Sequence, residues 1–409
     1  VQLALAEMKR GQAPDQALRH VDAHPITRVQ QGSLAQANTW IQPALSLFFA
    51  GEFEAARRDL VPVARSGTGS DAEMIAEGRL AQLDQDWSRA LVQAQRRVDR
   101  YGGDSARRDL AGLSFLRGDP ATAWAVLRPR LLHSDKPALV DALLTGWRLD
   151  RVGAAEALDQ IRREGWGGGA HDGLPMDQLM LARHLTEDRL PSEADLSLLP
   201  QEPGRPDTLL QVHATLQRLA LGPPGDAARM EALRTLIRSM PAAAPKGQMR
   251  GLYVLAAWRS GQRDDPTVQG LVPGNLDADV DSLLGTAALL WLRGAQDEAL
   301  TFVRAAILEL GAQPEPDYRQ GLRAPGHEVA MVLYGLWRLD PDPRLAAQLL
   351  RVARMHQRIL PYRAWPWALE AALPGEATAR QSAACQARAL DPASWWLGQS
   401  GFTAPCAPR

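Results

Sequence analysis

The stretch ALSLFFAGEFEAARRDL at residues 44–60 decides the fold, because it joins two helical runs through a short glycine turn. The same outline returns along the chain as an apolar helical run, a turn with Gly or Asp, and an alanine-led second run. Such repetition predicts an array of antiparallel helix pairs. The clearest copies are GRLAQLDQDWSRALVQA at 78–94, AGLSFLRGDPATAWAVL at 111–127, TGWRLDRVGAAEALDQI at 145–161 and AALLWLRGAQDEALTFV at 287–303, with weaker copies at 333–350 and 368–384.

The spacing of small and bulky residues supports this array. Small residues let two helices pack closely, so we predict that Ala90, Ala123 and Ala299 are buried in helix–helix contacts. The recurring alanines stand at steps of 34, 33, 34, 71 and 71 residues, at Ala56, Ala90, Ala123, Ala157, Ala228 and Ala299. Bulky side chains, which we expect to fill the space between pairs, precede the turns at Phe48, Phe115, Trp258, Trp291 and Trp337.

This pattern resembles the tetratricopeptide repeat family, whose unit is a 34-residue helix–turn–helix with small, aromatic and alanine positions in this order. The proline of ALDP at 389–392 resembles the family's closing proline. The resemblance implies an all-α, right-handed superhelical solenoid of about ten to eleven antiparallel helix pairs. One pair cannot bury its apolar faces alone, so neighbouring pairs must stack.

Clusters of Pro and Gly divide the expected array, because such residues end helices and form exposed connections. We expect an N-terminal superhelix at 1–164, degenerate helical repeats with Gly- and Pro-rich loops at 165–265, further repeats at 266–392 and an irregular tail at 393–409. The same clusters also fit longer loops inside one continuous array. No segment shows the period-two alternation that predicts a strand.

Composition excludes several classes of protein. The chain carries 46 basic and 47 acidic side chains, so it lacks the excess of positive charge that nucleic-acid binding needs. No stretch reaches the roughly 18 to 20 apolar residues that a bilayer span needs, so we expect no membrane span. Whether a signal peptide or anchor precedes Val1 stays open. All but three of the basic residues are arginine, which indicates a GC-rich bacterial genome.

A search for catalytic motifs predicts that the protein is not an enzyme. His327 and Glu328 begin a pattern like that of zinc proteases, but Met331 stands where the second histidine is needed. SGTGS at 66–70 lacks the lysine of a phosphate-binding loop, and GQSG at 398–401 lacks the spacing of a nucleophile elbow. We therefore predict no catalytic, cofactor-binding or metal-binding residues and no cofactor.

Four tryptophans near the C-terminus are the candidate partner-binding residues. They lie in sequence interrupted by proline and glycine, where they form either an interface or sugar-stacking platform or the cap of the helical array. The four are Trp365, Trp367, Trp395 and Trp396.

The two cysteines, Cys385 and Cys406, have no metal-ligand spacing. Either they form a disulfide bond that ties the tail to the last helix, or both are unpaired thiols. A bridge would favour the periplasm or the cell exterior.

These observations lead to one main hypothesis, a non-catalytic protein–protein interaction scaffold of a Gram-negative cell envelope. It would act in secretion, envelope assembly or exopolysaccharide export and bind a protein partner on the concave surface of the superhelix. The alternatives are a cytoplasmic adaptor or regulator and a carbohydrate-binding or enzyme-associated helical module. We expect no contact with nucleic acid and leave a polysaccharide contact open.

Overall fold

The computed structural model describes several separate stretches of the chain. These stretches contain sixteen helices and no strand, so the all-α class is confirmed for the described residues. The chain divides into two compact units. The N-terminal unit contains residues 1–157, 308–315 and 354–363, and the C-terminal unit contains 158–307, 316–353 and 364–409. The described residues are 34–131, 208–223, 227–239, 249–263, 276, 278–312, 325–392, 394–401 and 406.

Six consecutive helices of the N-terminal unit pack each against the next, and α1 also packs against α3. We call α1, α3 and α5 the first helices of three pairs, and α2, α4 and α6 their second helices. The turns predicted within 44–60, 78–94 and 111–127 separate the members of each pair, as expected. The bounds are α1 (Leu34–Phe49), α2 (Phe53–Ala64), α3 (Asp71–Leu83), α4 (Trp87–Tyr101), α5 (Asp104–Leu116) and α6 (Pro120–Leu131).

The C-terminal unit contains further helix pairs, and the turns predicted at 287–303, 333–350 and 368–384 are again confirmed. The pattern at 145–161 lies outside the described residues. The last residues of α11 and α13 belong to the N-terminal unit. A short helix, α16, occupies part of the expected irregular tail. The bounds are α7 (Thr208–Leu221), α8 (Ala227–Ser239), α9 (Arg250–Arg259), α10 (Val280–Leu292), α11 (Gln296–Ala312), α12 (Pro325–Leu339), α13 (Pro343–Ile359), α14 (Ala364–Ala372), α15 (Ala377–Leu390) and α16 (Trp395–Gln399).

One turn geometry follows five helices, namely α1, α3, α5, α9 and α10. A residue with left-handed backbone follows each helix, and the amide of the next residue donates a hydrogen bond to the carbonyl five positions earlier. This is the pattern of the Schellman motif, which satisfies carbonyls left over at a helix end. The left-handed residues are Gly51 (φ 77°), Gln85 (φ 57°), Gly118 (φ 79°), Gly261 (φ 77°) and Gly294 (φ 86°).

The predicted alanine contacts are confirmed at Ala90, Ala123 and Ala299, which are at most 1% exposed. Ala228 is exposed, so the register expected there is wrong. The reason is that α8 begins at Ala227, which places Ala228 in the first turn, and Met230 takes the buried position instead. Ala157 lies outside the described residues.

The bulky residues before the turns are less uniform than expected. Phe48 and Trp291 are buried in the core, whereas Phe115, Trp258 and Trp337 are only half-buried. Trp258 lies beneath the guanidinium of Arg263, whose Cζ is 4.7 Å from a ring centroid.

Replacing Gln85 with Gly is expected to raise the free energy of unfolding by about 0.5–1 kcal/mol. An exposed glutamine gains no packing at this turn, and its Cβ disfavours the left-handed backbone that Gly adopts freely. The reciprocal change, Gly118→Gln, has open space around the added Cβ and should therefore destabilise through the backbone alone. Thermal unfolding followed by circular dichroism measures both, and shifts in the same direction would contradict the role given to this turn.

Candidate functional site

Residues 354–363 pack against the first helix pairs of the N-terminal unit, and we call them the docked segment. Met355 lies on the turn between α1 and α2, where a Cβ added to Gly51 would come within 2.8 Å of the Met355 sulfur. The guanidinium carbon of Arg358 lies 5.0 Å from the ring centroid of Phe53, in the geometry of a cation–π contact. The docked segment therefore covers the turn between α1 and α2 with both apolar and cationic contacts.

Two further side chains extend this contact along the array. Ile359 packs against the apolar core formed by α1, α2 and α3. The ring of Tyr362 lies directly on Gly112 in the middle of α5, so closely that a methyl group at Gly112 would collide with it. We call the surface that receives the docked segment the first-helix face. It consists of Gly51 in the α1–α2 turn, Phe53 at the start of the second helix α2, and Gly112 in the first helix α5.

A charge network joins α3, α4 and α5 in the same unit. The buried Arg97 donates to Asp71 at 2.9 Å and to Asp109 at 3.0 Å, and Arg79 reaches Asp109 at 3.2 Å. The Arg79 guanidinium also lies over the ring of Phe48, 5.5 Å from its centroid. Two cations thus meet two carboxylates, and the cleft between them has room for about one water molecule. The network therefore links α3, α4 and α5 and leaves no space for an organic ligand.

Helices α7, α9 and α12 of the C-terminal unit pack directly on one another. A Cβ on Gly335 of α12 would lie 2.8 Å from Leu255 of α9 and 3.2 Å from Leu221 of α7. A Cβ on Gly251 of α9 would similarly lie 2.7 Å from Val332 of α12. The facing surfaces of α7, α9 and α12 therefore form a core.

The C-termini of these three helices also meet. Arg259 of α9 donates to the carbonyls of Ala220 and Gly222 at 2.9 and 2.6 Å, and Arg338 of α12 donates to that of Leu221 at 3.0 Å. Burial, and after it the neighbouring Arg338, lowers the pKa of Arg259. Two guanidinium groups thus satisfy the carbonyls at the end of α7, where a positive charge is favoured by the helix dipole.

The structure divides the four candidate tryptophans into two kinds. Trp365 and Trp396 are 2% and 1% exposed, whereas Trp367 and Trp395 are half-buried. The indole N–H of Trp396 donates to Nε2 of the buried His327 at 3.0 Å. Trp365 and Trp396 therefore pack as part of the core. A partner-binding role stays a prediction, and only Trp367 and Trp395 offer surface for it.

A disulfide bond joins Cys385 of α15 to Cys406 beyond α16. The two Cα atoms are 5.5 Å apart, which is within the usual range for a bridged pair. Arg388, one turn after Cys385, donates to the Cys406 sulfur at 3.4 Å. Cys406 is thus linked covalently to α15.

Asp281 at the start of α10 is the most perturbed acid among the described residues with a resolved shift. The backbone N–H of Arg250 donates to its carboxylate at 2.6 Å, and Nε of Arg250 lies 3.8 Å from the other oxygen. Burial, and after it the charge of Glu328, raises the pKa of Asp281 to about 9. Burial and the neighbouring Glu328 therefore favour the protonated form of Asp281 in the folded protein.

Within the described part of the chain, no three His, Cys, Asp or Glu side chains converge as metal ligands would. None of the described helices combines the length and the apolar character that crossing a bilayer requires.

The docked segment is the feature that the sequence analysis missed. Two signals pointed to it: the apolar spacing of Met355, Ile359 and Tyr362, typical of one helix face, and a glycine, Gly112, in the middle of a helix that has no backbone need for it.

Replacing Asp281 with Asn is expected to stabilise the protein increasingly as the pH rises. Between the ordinary pKa of 3.8 and the raised value of about 9, the folded protein holds a proton that the unfolded chain has released. The wild-type free energy of unfolding therefore falls with rising pH, and the variant lacks this fall. From pH 5 to pH 8 we expect its advantage to grow by about 1 kcal/mol or more, measured by thermal unfolding.

Asp342→Asn is the control of opposite sign. A hydrogen bond from Arg344 lowers the pKa of Asp342, so its stabilising contribution is present at neutral pH and lost on acidification through the lowered pKa. This variant should be less stable than wild type at neutral pH and approach it in acid. The same pH trend in both variants would contradict these assignments.

Comparison with known proteins finds no family model, no curated protein and no solved structure that matches this chain. The resemblance to tetratricopeptide repeats therefore rests on the repeat pattern, and what the structure adds is an all-helical fold with consecutive helices packed as neighbours.

Proposed function

We propose that the protein is a non-catalytic, tetratricopeptide-type scaffold that binds a protein partner on the first-helix face of its N-terminal unit. The observation that carries this proposal is the docked segment itself. A short piece of polypeptide already lies on this face through Met355, Arg358 and Tyr362, so the face has the shape and chemistry to hold one. Helical arrays of this kind commonly bind peptides on the surface made by their first helices.

The chemistry of the face favours amphipathic peptides. Phe53 offers a ring to a cation, Gly112 leaves room for an aromatic ring, and the core beside them takes an aliphatic side chain. Aromatic and arginine contacts of this type supply much of the binding energy in protein interfaces. Lysine and asparagine, which other arrays of this family use to clamp peptides, are almost absent from the chain.

Site-specific photo-crosslinking in cells of the source bacterium tests this role. A benzoyl-phenylalanine in place of Phe53 is a conservative change at the ring that Arg358 covers, whereas the same residue at Val92, 55% exposed on α4, is the control. We expect one partner protein to be captured from position 53 and not from position 92. Equal capture at both positions, or none at 53, would contradict the proposed binding face.

We place this scaffold in the cell envelope, in secretion, envelope assembly or exopolysaccharide export. The support is the pairing of Cys385 with Cys406, since structural disulfides persist in oxidising compartments. A scaffold in the cytoplasm would keep both thiols reduced.

Thiol labelling separates these two locations. Protein from cells quenched with acid is denatured and treated with a maleimide before and after reduction. In the envelope we expect no label before reduction and two labels after it, at Cys385 and Cys406. Two labels before reduction would assign the protein to the cytoplasm as an adaptor.

A further inference from the structure

The docked segment has the features of a displaceable peptide ligand. Its three anchors stand at i, i+4 and i+7, with Met355 and Ile359 one turn apart on α13 and Tyr362 in the turn after the helix. This is the spacing by which amphipathic helices dock in grooves of partner proteins. Regular helix ends at Ile359, and the last anchor, Tyr362, lies in the turn that follows.

Charge adds a second feature to this pattern. The docked segment, RMHQRILPYR at 354–363, contains three arginines and no acidic residue. One of them, Arg358, lies between two anchors and faces the ring of Phe53. A ligand of the face is thus a short basic helix with an aromatic residue beyond its end.

The receiving surface is shaped for these anchors. Gly112 has helical backbone and no positive φ, so the backbone conformation does not require a glycine here. What the glycine provides is room for a neighbouring side chain. The ring of Tyr362 fills this space. Gly78, the glycine of α3, differs, because a Cβ there would make only an ordinary contact at 3.7 Å with Gln93.

We propose that the docked segment is an internal ligand that closes the first-helix face, and that partners bind by displacing it with a basic amphipathic helix of the same anchor spacing. This inference rests on the proposed binding role of the face and names the chemistry of the partner and the contact that regulates access. If the docked segment covers the face in most molecules, the apparent affinity for a partner is reduced in proportion to the fraction of molecules whose face is open.

The test uses the full chain and a fluorescent peptide of residues 350–364. Tyr362→Ala removes one internal anchor and should let the peptide bind about tenfold more tightly than it binds the wild type, measured by fluorescence anisotropy. A peptide with alanine at its Met355, Ile359 and Tyr362 positions should not bind. Adding Gly112→Leu to the Tyr362→Ala protein should abolish binding, whereas adding Gly78→Ala should leave it unchanged.

Limited proteolysis provides a second test that does not depend on the folding of Tyr362→Ala. Gly112→Ala pushes the Tyr362 ring aside and should speed tryptic cleavage after Arg358 and Arg363, read by mass spectrometry, relative to Gly78→Ala. Unchanged cleavage, or a folded Tyr362→Ala protein that binds the peptide no better than wild type, would show that the segment is a permanent part of the core. A partner captured from position 53 together with either result would leave the binding role standing and remove only the internal ligand.

Discussion

The turn that follows α1, α3, α5, α9 and α10 is the constraint on which the helix pairs depend. A residue in the left-handed region reverses the chain within a few residues, and a hydrogen bond across five positions fixes the direction in which the second helix leaves. Once that direction is set, the two helices run side by side, and only small residues such as Ala90 and Ala123 fit between them. The repeat of about 34 residues is therefore the distance from one such turn to the next.

Features that depend on neighbours in sequence could be predicted, whereas those that depend on distant residues could not. The turn at Gly51 and the burial of Ala123 follow from local spacing, and both agree with the structure. Ala228 shows the limit of this approach, since an interval of two repeats says nothing about where α8 begins. The contact of Tyr362 with Gly112 joins parts of the chain about 250 residues apart, and no local pattern encodes such a pairing.

Glycines within helices allow close packing in both units, but against different kinds of neighbour. In the N-terminal unit Gly112 makes room for the ring of Tyr362 from the docked segment. In the C-terminal unit Gly251 and Gly335 let α7, α9 and α12 approach one another, and their facing surfaces form a core. A helical glycine thus accepts a segment from far along the chain in one unit and a packed helix in the other. The repeat pattern alone does not distinguish the two cases.

Because a protein is made from its N-terminus, the first-helix face is synthesised well before the docked segment that covers it. A ribosome reaches Tyr362 about 250 residues after Gly112, which at ordinary rates of translation takes on the order of ten to fifty seconds. Throughout that interval the apolar face of the first three pairs exists without the residues that cover it. Each new molecule therefore passes through a stage in which this face is open to solvent, to chaperones and to any peptide that arrives before its own chain is complete.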